Sequence, residues 1–531
     1  MRDYVYGWKK YILGASIFRV FYSGLFVVAG YLIGLVTDSA LLGDISRFGT
    51  LVIYLVATHV IAFLFGTIST HFELRGSVGI MASTTSGLFG KLYAGTLNRF
   101  RKRDDAYYIN LAVNDSSTLF SERYGSIPAE AGFAVQGLVA LGLLLSISPW
   151  MFGISIAFLL LPIVTMNIFM KIIRKRKLLA SETAERYTAS VTEAIQGYES
   201  IKLIGIPQGY FNRFGSIMGN MYTALKNDIF MQTQASRVGY LLTAVLDISA
   251  LSLGAFLIVR GQISAGELLA ATFMFCHVSD GIRNYFYART RRLGTNPIKD
   301  KFENELSASE EIGTTNGTDI SFECAVEYKH VSFRFDNSQN LYTDFSFIFE
   351  PGHTYAILGE SGSGKSTLLK LLLKYYNEYE GQISIGGRDI RQIPESEVYK
   401  LIGVVNQSPF LLNDTLKNNI TMFDDSVPDI TPMLTKLSLN PLSERVGEML
   451  LGDFGESISG GERQRISIAR TLIKKPKIII FDEPTTGLDP ENTKLINDFI
   501  FSLDGITRIV ITHDWSSEYL GRFDSVVRLG A

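Results

Sequence analysis

Six apolar runs dominate the first half of the chain, at roughly 14–36, 49–70, 131–149, 151–170, 238–260 and 265–288. Each approaches the ~20 apolar residues that a helix needs to cross a bilayer core. Short loops join the first run to the second, the third to the fourth and the fifth to the sixth. Long polar spacers with few prolines, 71–130 and 171–237, separate these pairs. Their composition predicts helices that continue well beyond the bilayer. The pattern changes near residue 290. Arg289 to Glu311 is charged and reads as a helix leaving the membrane, and Gly313 to Thr318 is polar. From Ile320 onward, short apolar strands alternate with turns and helices, which is the α/β pattern. We therefore expect an all-α six-helix transmembrane domain over 1–312 and an α/β domain over 313–531.

Positive charge orients the runs. The first spacer carries Arg99, Arg101, Lys102 and Arg103, and the second carries Lys171, Arg174, Lys175, Arg176 and Lys177. The short loops hold only Arg47, beside Asp38 and Asp44, and Arg260, near Glu267. Both spacers and both termini are expected in the cytosol. Apolar residues make up 47% of the chain and its net charge is −2, which gives no footprint for nucleic acid. Cys276 and Cys324 lie in different regions and form no spaced motif, so we read them as packing residues. Met1 to Tyr11 reads as a short amphipathic lead-in rather than a signal peptide. Asn316-Gly317-Thr318 fits a glycosylation sequon, but a cytosolic linker would not meet that machinery.

Several polar residues fall inside the apolar runs: His59, Asp247, His277, Asp280 and Arg283. A charge at the bilayer centre costs about 2.5–3.5 kcal/mol on insertion scales. Asp280 and Arg283 are three apart and can pair on one helix face. Two readings stand: a pair that locks helices together, or a polar lining of a substrate path. Gly30 and Gly34 form a small-xxx-small pair suited to close helix packing.

The second half carries the chemistry. Gly359-Glu360-Ser361-Gly362-Ser363-Gly364-Lys365-Ser366 fits G-x-x-x-x-G-K-[ST] between an apolar run, Tyr355 to Leu358, and a helical run from Thr367 to Leu373. The glycines let several backbone N–H groups approach one phosphate, and the helix N-terminus adds partial positive charge. Lys365 can reach the β- and γ-phosphates, and Ser366 can ligate Mg²⁺. Phe335, ahead of this loop, offers a face for a purine. Gln407 follows the buried run Leu401 to Val405 and can reach Mg²⁺ or its water. Ser459-Gly460-Gly461-Glu462 opens another helical run and is a second anion site. Lys477 to Phe481 reads as a buried strand ending at Asp482-Glu483, where strand ends face a nucleotide crevice. Asp482 can hold Mg²⁺ through water, and Glu483 can polarise an attacking water. His513 follows the strand Arg508 to Thr512 and can orient that water beside the γ-phosphate.

In this order the residues resemble those of an ATP-binding cassette transporter, specifically an exporter-type half-transporter. Gly359 to Thr367 matches the Walker A loop, Gln407 the Q-loop and Ile458 to Glu462 the signature. Asp482 ends Walker B, Glu483 is the catalytic glutamate, Thr486 to Asp489 is the D-loop and His513 the switch histidine. Two departures occur. The signature reads Ile-Ser-Gly-Gly-Glu where Leu-Ser-Gly-Gly-Gln is usual, and Phe335 stands where tyrosine is usual. The resemblance implies a P-loop NTPase domain using ATP and Mg²⁺. It also implies a homodimer, or a heterodimer with another half-transporter, in which one subunit's signature meets the other's Walker A. It implies coupling helices in the spacers, which we expect at Asp105 to Phe120 and Ile204 to Phe214.

The expected function is ATP-driven export of a small-molecule, lipid or peptide substrate across the cell membrane. An importer built on the exporter fold and a cassette-gated regulator are the alternatives. A soluble cassette ATPase acting on nucleic acid is disfavoured by the six apolar runs. No cysteine-protease stretch precedes the first apolar run, so a leader-cleaving peptide exporter is not expected. The substrate is not readable from the sequence.

Overall fold

The structure, a computed structural model, describes residues 2–205, 208–307, 325–335, 340–360, 362–427, 429–446, 450–451 and 458–529. Side chains at 2, 158–168, 170, 242, 243, 246, 340 and 446 fall outside the description. So do Ser361, Cys324, the sequon Asn316-Gly317-Thr318 and the expected domain boundary at 312–313. The chain divides into two compact units, one comprising Met1–Gly95 and Lys102–Glu311, the other Thr96–Arg101 and Ile312–Ala531.

The first unit is helical. Its long helices are α1 (Lys9–Leu41), α2 (Ile45–Ala94), α3 (Ser126–Ile147), α4 (Pro149–Gln196), α5 (Gln208–Val259) and α6 (Ala265–Gly294). Each contains one of the six apolar runs. Helices α2, α4 and α5 are 50, 48 and 52 residues long, so the polar spacers do continue the helices past their apolar parts. Among the described residues, Lys9–Leu41, Ile45–Ala94 and Asp105–Ile147 are long and apolar enough to cross a membrane, and Asp247–Val259 is a shorter apolar stretch.

Small residues set the packing. A Cβ at Gly34 of α1 would stand 2.5 Å from Ala270 Cβ and from the Gly266 carbonyl of α6. A Cβ at Gly281 would meet the α3 backbone at Gly137 at 2.8 Å. Close helix approach without side-chain interference is the physical use of such stripes. Asp38, at the end of α1, accepts from Ser264 Oγ (2.6 Å) and from the Gly266 amide (2.8 Å), which fixes the start of α6. The shared core includes Val27, Ala140, Met151, Ala250, Met274 and Val278.

The polar residues within the runs are mostly partnered. Arg283 donates to Asp280, as the spacing predicts. Ser279 Oγ donates to Asp247 (2.7 Å), and Gln136 Nε2 lies 3.3 Å from Nδ1 of buried His277. His59 is exposed and its Nδ1 lies 2.9 Å from the Leu55 carbonyl.

The expected position of the first coupling helix is corrected. Asp105–Asn110 and the two π-helical segments Leu111–Asp115 and Leu119–Tyr124 belong to the first unit. Tyr107, Tyr108, Leu111 and Leu119 are buried there against Leu88 and Phe302. Aromatic and aliphatic side chains at these positions pack the segment into the core of the first unit. The segment that joins the second unit is Thr96–Arg101, whose short helix spans Leu97–Phe100. Of the second expected site, 206 and 207 lie outside the description, while Ile204 and Phe211 are exposed at 75% and 54%.

The second unit holds two sheets. A parallel sheet has the order β6-β7-β8-β3-β9, with β3 (Thr354–Gly359), β6 (Ile402–Val405), β7 (Ile478–Asp482), β8 (Thr507–Ile511) and β9 (Ser525–Leu529). An antiparallel sheet has the order β2-β1-β4-β5, from β1 (Val326–Arg334), β2 (Asn340–Phe349), β4 (Glu380–Ile385) and β5 (Arg388–Asp389). Every residue of β3 and β8 is buried, as expected for parallel strands covered on both faces. Such strands read as unbroken apolar runs, which is why the sequence pattern located them within a residue or two.

Candidate nucleotide site

The phosphate loop leaves β3 and enters helix α7 (Lys365–Leu372). Gly362 (φ +87°) and Gly364 (φ +95°) lie in the left-handed region, where a side chain is strained. Gly359 cannot carry a Cβ without meeting Ser363 Oγ and the Leu529 carbonyl at 2.7 Å or closer. Gly364 is held from the other side by Tyr342, whose hydroxyl donates to its carbonyl. Lys365 is buried at 6% exposure, and its Nζ donates to the carbonyls of Gly359 (2.7 Å) and Glu360 (2.9 Å). Ser366 and Thr367 form the first turn of α7 and are half-buried. The first amides of a helix lack intrahelical acceptors. Ser363 Oγ is buried with no hydrogen-bond partner among the described residues. A buried, unpartnered hydroxyl beside free amides and an ammonium fits a phosphate chain.

The carboxyl ends of three adjacent parallel strands meet at Glu483. Glu483 follows β7 with φ +49°, a conformation that costs a non-glycine residue of order 1–3 kcal/mol. Its amide donates to the Ile511 carbonyl of β8 (3.1 Å), which pins the turn. Its Oε1 lies 2.7 Å from His513 Nε2, just past β8. Its Oε2 accepts from Gln407 Nε2 (2.8 Å), just past β6, and from Thr486 Oγ1 (3.2 Å). Gln407, expected to face metal, thus also grips the glutamate through its Nε2. His513, Gln407 and Glu483 are brought together, though 30 and 76 residues separate the partners from Glu483.

Asp482 ends β7. Burial pushes its carboxyl above the ordinary range, the Glu483 charge adds to this, and Lys370 and Lys365 pull it partly back. A desolvated carboxylate is the kind of oxygen donor that a hard cation takes. The Ser366 hydroxyl, the Gln407 amide oxygen and Asp482 are the oxygen donors expected for Mg²⁺. Phe335 sits just past β1 at 42% exposure, edge-on to Phe333 (5.1 Å) and Tyr376 (5.6 Å). Tyr376 and Tyr342 were not singled out by sequence; both lie outside any motif.

Ser459-Gly460-Gly461-Glu462 opens helix α8 (Gly460–Ile473). Ser459 Oγ accepts from the Glu462 amide (3.2 Å), and the Glu462 carboxylate accepts from the Ser459 amide (2.8 Å), a reciprocal cap. Burial alone would raise the Glu462 carboxyl, but the bonds from Ser459 and the ion pair with Arg445 (3.1 Å) outweigh it and hold it low. Glutamine could make the same cap; what the glutamate adds is the charge paired with Arg445. Among the described residues, no hydrogen bond links 459–462 to 359–367. Asp489 caps helix α9 (Pro490–Phe501), accepting from the Asn492 amide at 2.9 Å.

Comparison with known proteins identifies the family. A model of the ABC transporter transmembrane region matches residues 12–279, and the ABC transporter model matches 342–486. The chain is 27% identical over 471 residues to the yeast (Saccharomyces cerevisiae) "ATP-dependent permease MDL2, mitochondrial", covering 83% of this chain and 59% of that protein. It is 29% identical over 403 residues to the ABC transporter ATP-binding protein YwjA of Bacillus subtilis, covering 73% of this chain and 69% of that one. The fold is shared with a bacterial Atm1-family ABC exporter solved with ATP bound, at TM-score 0.86 and 19% identity, over 98% of this chain and 94% of the other. A helical transmembrane region followed by one ATP-binding cassette makes this chain a member of the ABC transporter family, with the build of an exporter-type half-transporter.

Proposed function

We propose that two copies of this chain form an ATP-hydrolysing exporter that moves its substrate out of the cytoplasm by alternating access. One observation carries the reading: Glu483 is held at both carboxylate oxygens by His513, Gln407 and Thr486, beside a formed phosphate loop. Such a carboxylate is poised to take a proton from a water. Residues 359–367 hold the phosphates through backbone amides and Lys365, and Phe335 offers its ring to the base. Mg²⁺, held by Ser366, Gln407 and Asp482, would screen the phosphate charge. His513 keeps Glu483 oriented, and Gln407 joins it to the loop after β6.

The dimer follows from the signature. Ser459, Gly460, Gly461 and Glu462, together with Asp489, serve the nucleotide on the opposite subunit. The intact motif set favours a homodimer with two working sites, and a heterodimer would need a second half-transporter. The cassette is taken as 313–531 and the membrane domain as 1–312, with the cassette and both termini in the cytosol at the plasma or inner membrane. ATP favours the closed pair of cassettes, and a ligand shifts a two-state equilibrium only by its differential affinity. That bias turns the cavity outward, and hydrolysis resets it.

The test is ATPase assay of the full chain in lipid nanodiscs with Glu483→Gln as comparison. We expect Mg²⁺-dependent turnover, and loss of turnover with ATP-trapped dimers in the variant. A monomer that stays monomeric with ATP and magnesium in both detergent and bilayer would overturn the dimer scheme. Transport into inverted vesicles decides direction.

A further inference from the structure

Three groups from different parts of the second unit converge on Asn492, which no motif includes. Arg465 of α8 is 8% exposed, and its Nη1 donates to Asn492 Oδ1. Asn492 Nδ2 donates to Asp489 Oδ2 (2.6 Å), and its backbone amide donates to Asp489 Oδ1 (2.9 Å). The amide also lies flat against the signature: a Cβ at Gly461 would stand 2.6 Å from Asn492 Cγ and Oδ1. Arginine can only donate and a carboxylate only accept, so the two neighbours fix which way the amide points. A carboxamide is the side chain of this length that accepts on one side and donates on the other. Aspartate would lose the donor and set two carboxylates together. Alanine would leave Arg465 without this acceptor, and its Nε is already buried with no partner among the described residues.

We propose that Asn492 is a positioning residue that locks the signature helix to Asp489, so that the two elements of one subunit meet the opposite subunit's ATP as one rigid piece. The inference rests on the dimeric reading given above, because only there do both elements face a nucleotide. Among the described residues, no hydrogen bond links Asn492 to the phosphate loop of its own chain. Its loss therefore acts on the closed, ATP-bound pair and leaves the first encounter with nucleotide alone. ADP, which lacks the γ-phosphate, reports that encounter.

The experiment uses the full chain in nanodiscs and compares wild type, Asn492→Ala, Asn492→Asp, Asp489→Ala and the double variant Asn492→Ala/Asp489→Ala. We expect kcat to fall about tenfold in Asn492→Ala and at least as far in Asn492→Asp, a loss of about 1.4 kcal/mol in the transition state. ADP affinity should stay at the wild-type value, while the melting temperature falls somewhat because buried Arg465 loses an acceptor. The double variant should be no slower than Asp489→Ala alone, because Asn492 acts through that residue. Multiplicative losses in the double variant, or an ADP affinity that falls in step with kcat, would overturn the proposal. If Asn492→Ala does not fold, Asn492→Ser, which keeps one polar atom but cannot span both neighbours, carries the same comparison. Absence of ATP turnover in the wild-type protein would instead remove the functional reading, and the double-variant comparison would then not arise.

Discussion

Nε2 of His513 stands 2.7 Å from Oε1 of Glu483, while Gln407 and Thr486 occupy the other carboxylate oxygen. The carboxylate is thus aligned by the protein's own groups, and preorganised groups need no rearrangement in the transition state. Glu483→Gln keeps the shape and loses the base. We expect kcat to drop by about 10²–10⁴ with nucleotide binding retained. His513→Ala leaves the base but frees one oxygen, so a smaller drop is expected. Phosphate release in nanodiscs measures both, and full turnover in Glu483→Gln would remove it from the role.

Lys365 is tied to two carbonyls of its own loop. Lys365→Ala removes the ammonium and strands those carbonyls in a buried setting, a cost of about 1–3 kcal/mol for each group left unsatisfied. We expect ATP affinity to fall by at least about tenfold, one decade per 1.4 kcal/mol. Equilibrium binding of a fluorescent nucleotide checks this. Unchanged affinity would mean that the loop amides alone hold the phosphates.

Asp482 gives a pH prediction. Burial, aided by the Glu483 charge, raises its carboxyl above the ordinary range. The folded protein therefore binds this proton more tightly than the unfolded chain does, and nucleotide-free stability falls as pH rises from the usual aspartate range through the raised value. Asp482→Asn should melt higher than wild type at neutral pH, with the gap closing on acidification, while Mg²⁺-dependent hydrolysis is lost. A lower melting temperature for the variant at pH 7 would contradict the sign.

Glu395 accepts the Leu97 amide (3.1 Å), and the Arg101 guanidinium lies 5.3 Å from the Tyr375 ring centre. Burial raises the Glu395 carboxyl, offset by the Leu97 bond and by Lys374. Removing a charged acceptor of this kind costs about 1.5–3 kcal/mol. In Glu395→Ala we expect the Leu97 amide to exchange with solvent roughly 10–100-fold faster. Hydrogen exchange read by mass spectrometry is the measurement, and unchanged protection would show that other contacts hold Thr96–Arg101.

Much of this protein was legible from sequence because its signals are local. Apolar runs long enough to span lipid mark the membrane helices, and fully buried parallel strands such as Ile478–Asp482 read as unbroken hydrophobic stretches. Glycines at Gly362 and Gly364 mark positive φ wherever they stand in a phosphate loop. The apolar runs Lys477 to Phe481 and Arg508 to Thr512 read as strands that end at Asp482-Glu483 and at His513. The resemblance to a transporter family rests on these same spacings.

Tertiary structure alone decided what depends on distant partners. Nothing near Gln407 in sequence says that its amide closes on Glu483, 76 residues away. Glu462 looks like a departure from the usual signature until Arg445 and the Ser459 amide are seen holding it. The first spacer is uniformly polar and basic around residue 100, so its composition could not separate Thr96–Arg101, which joins the second unit, from Asp105–Tyr124, which is packed on Leu88 and Phe302 of the first. Hydrophobic period and backbone conformation are properties of a short stretch of chain. Which carboxylate meets which amide is set by how the strands and helices stack, and that information is spread across the whole fold.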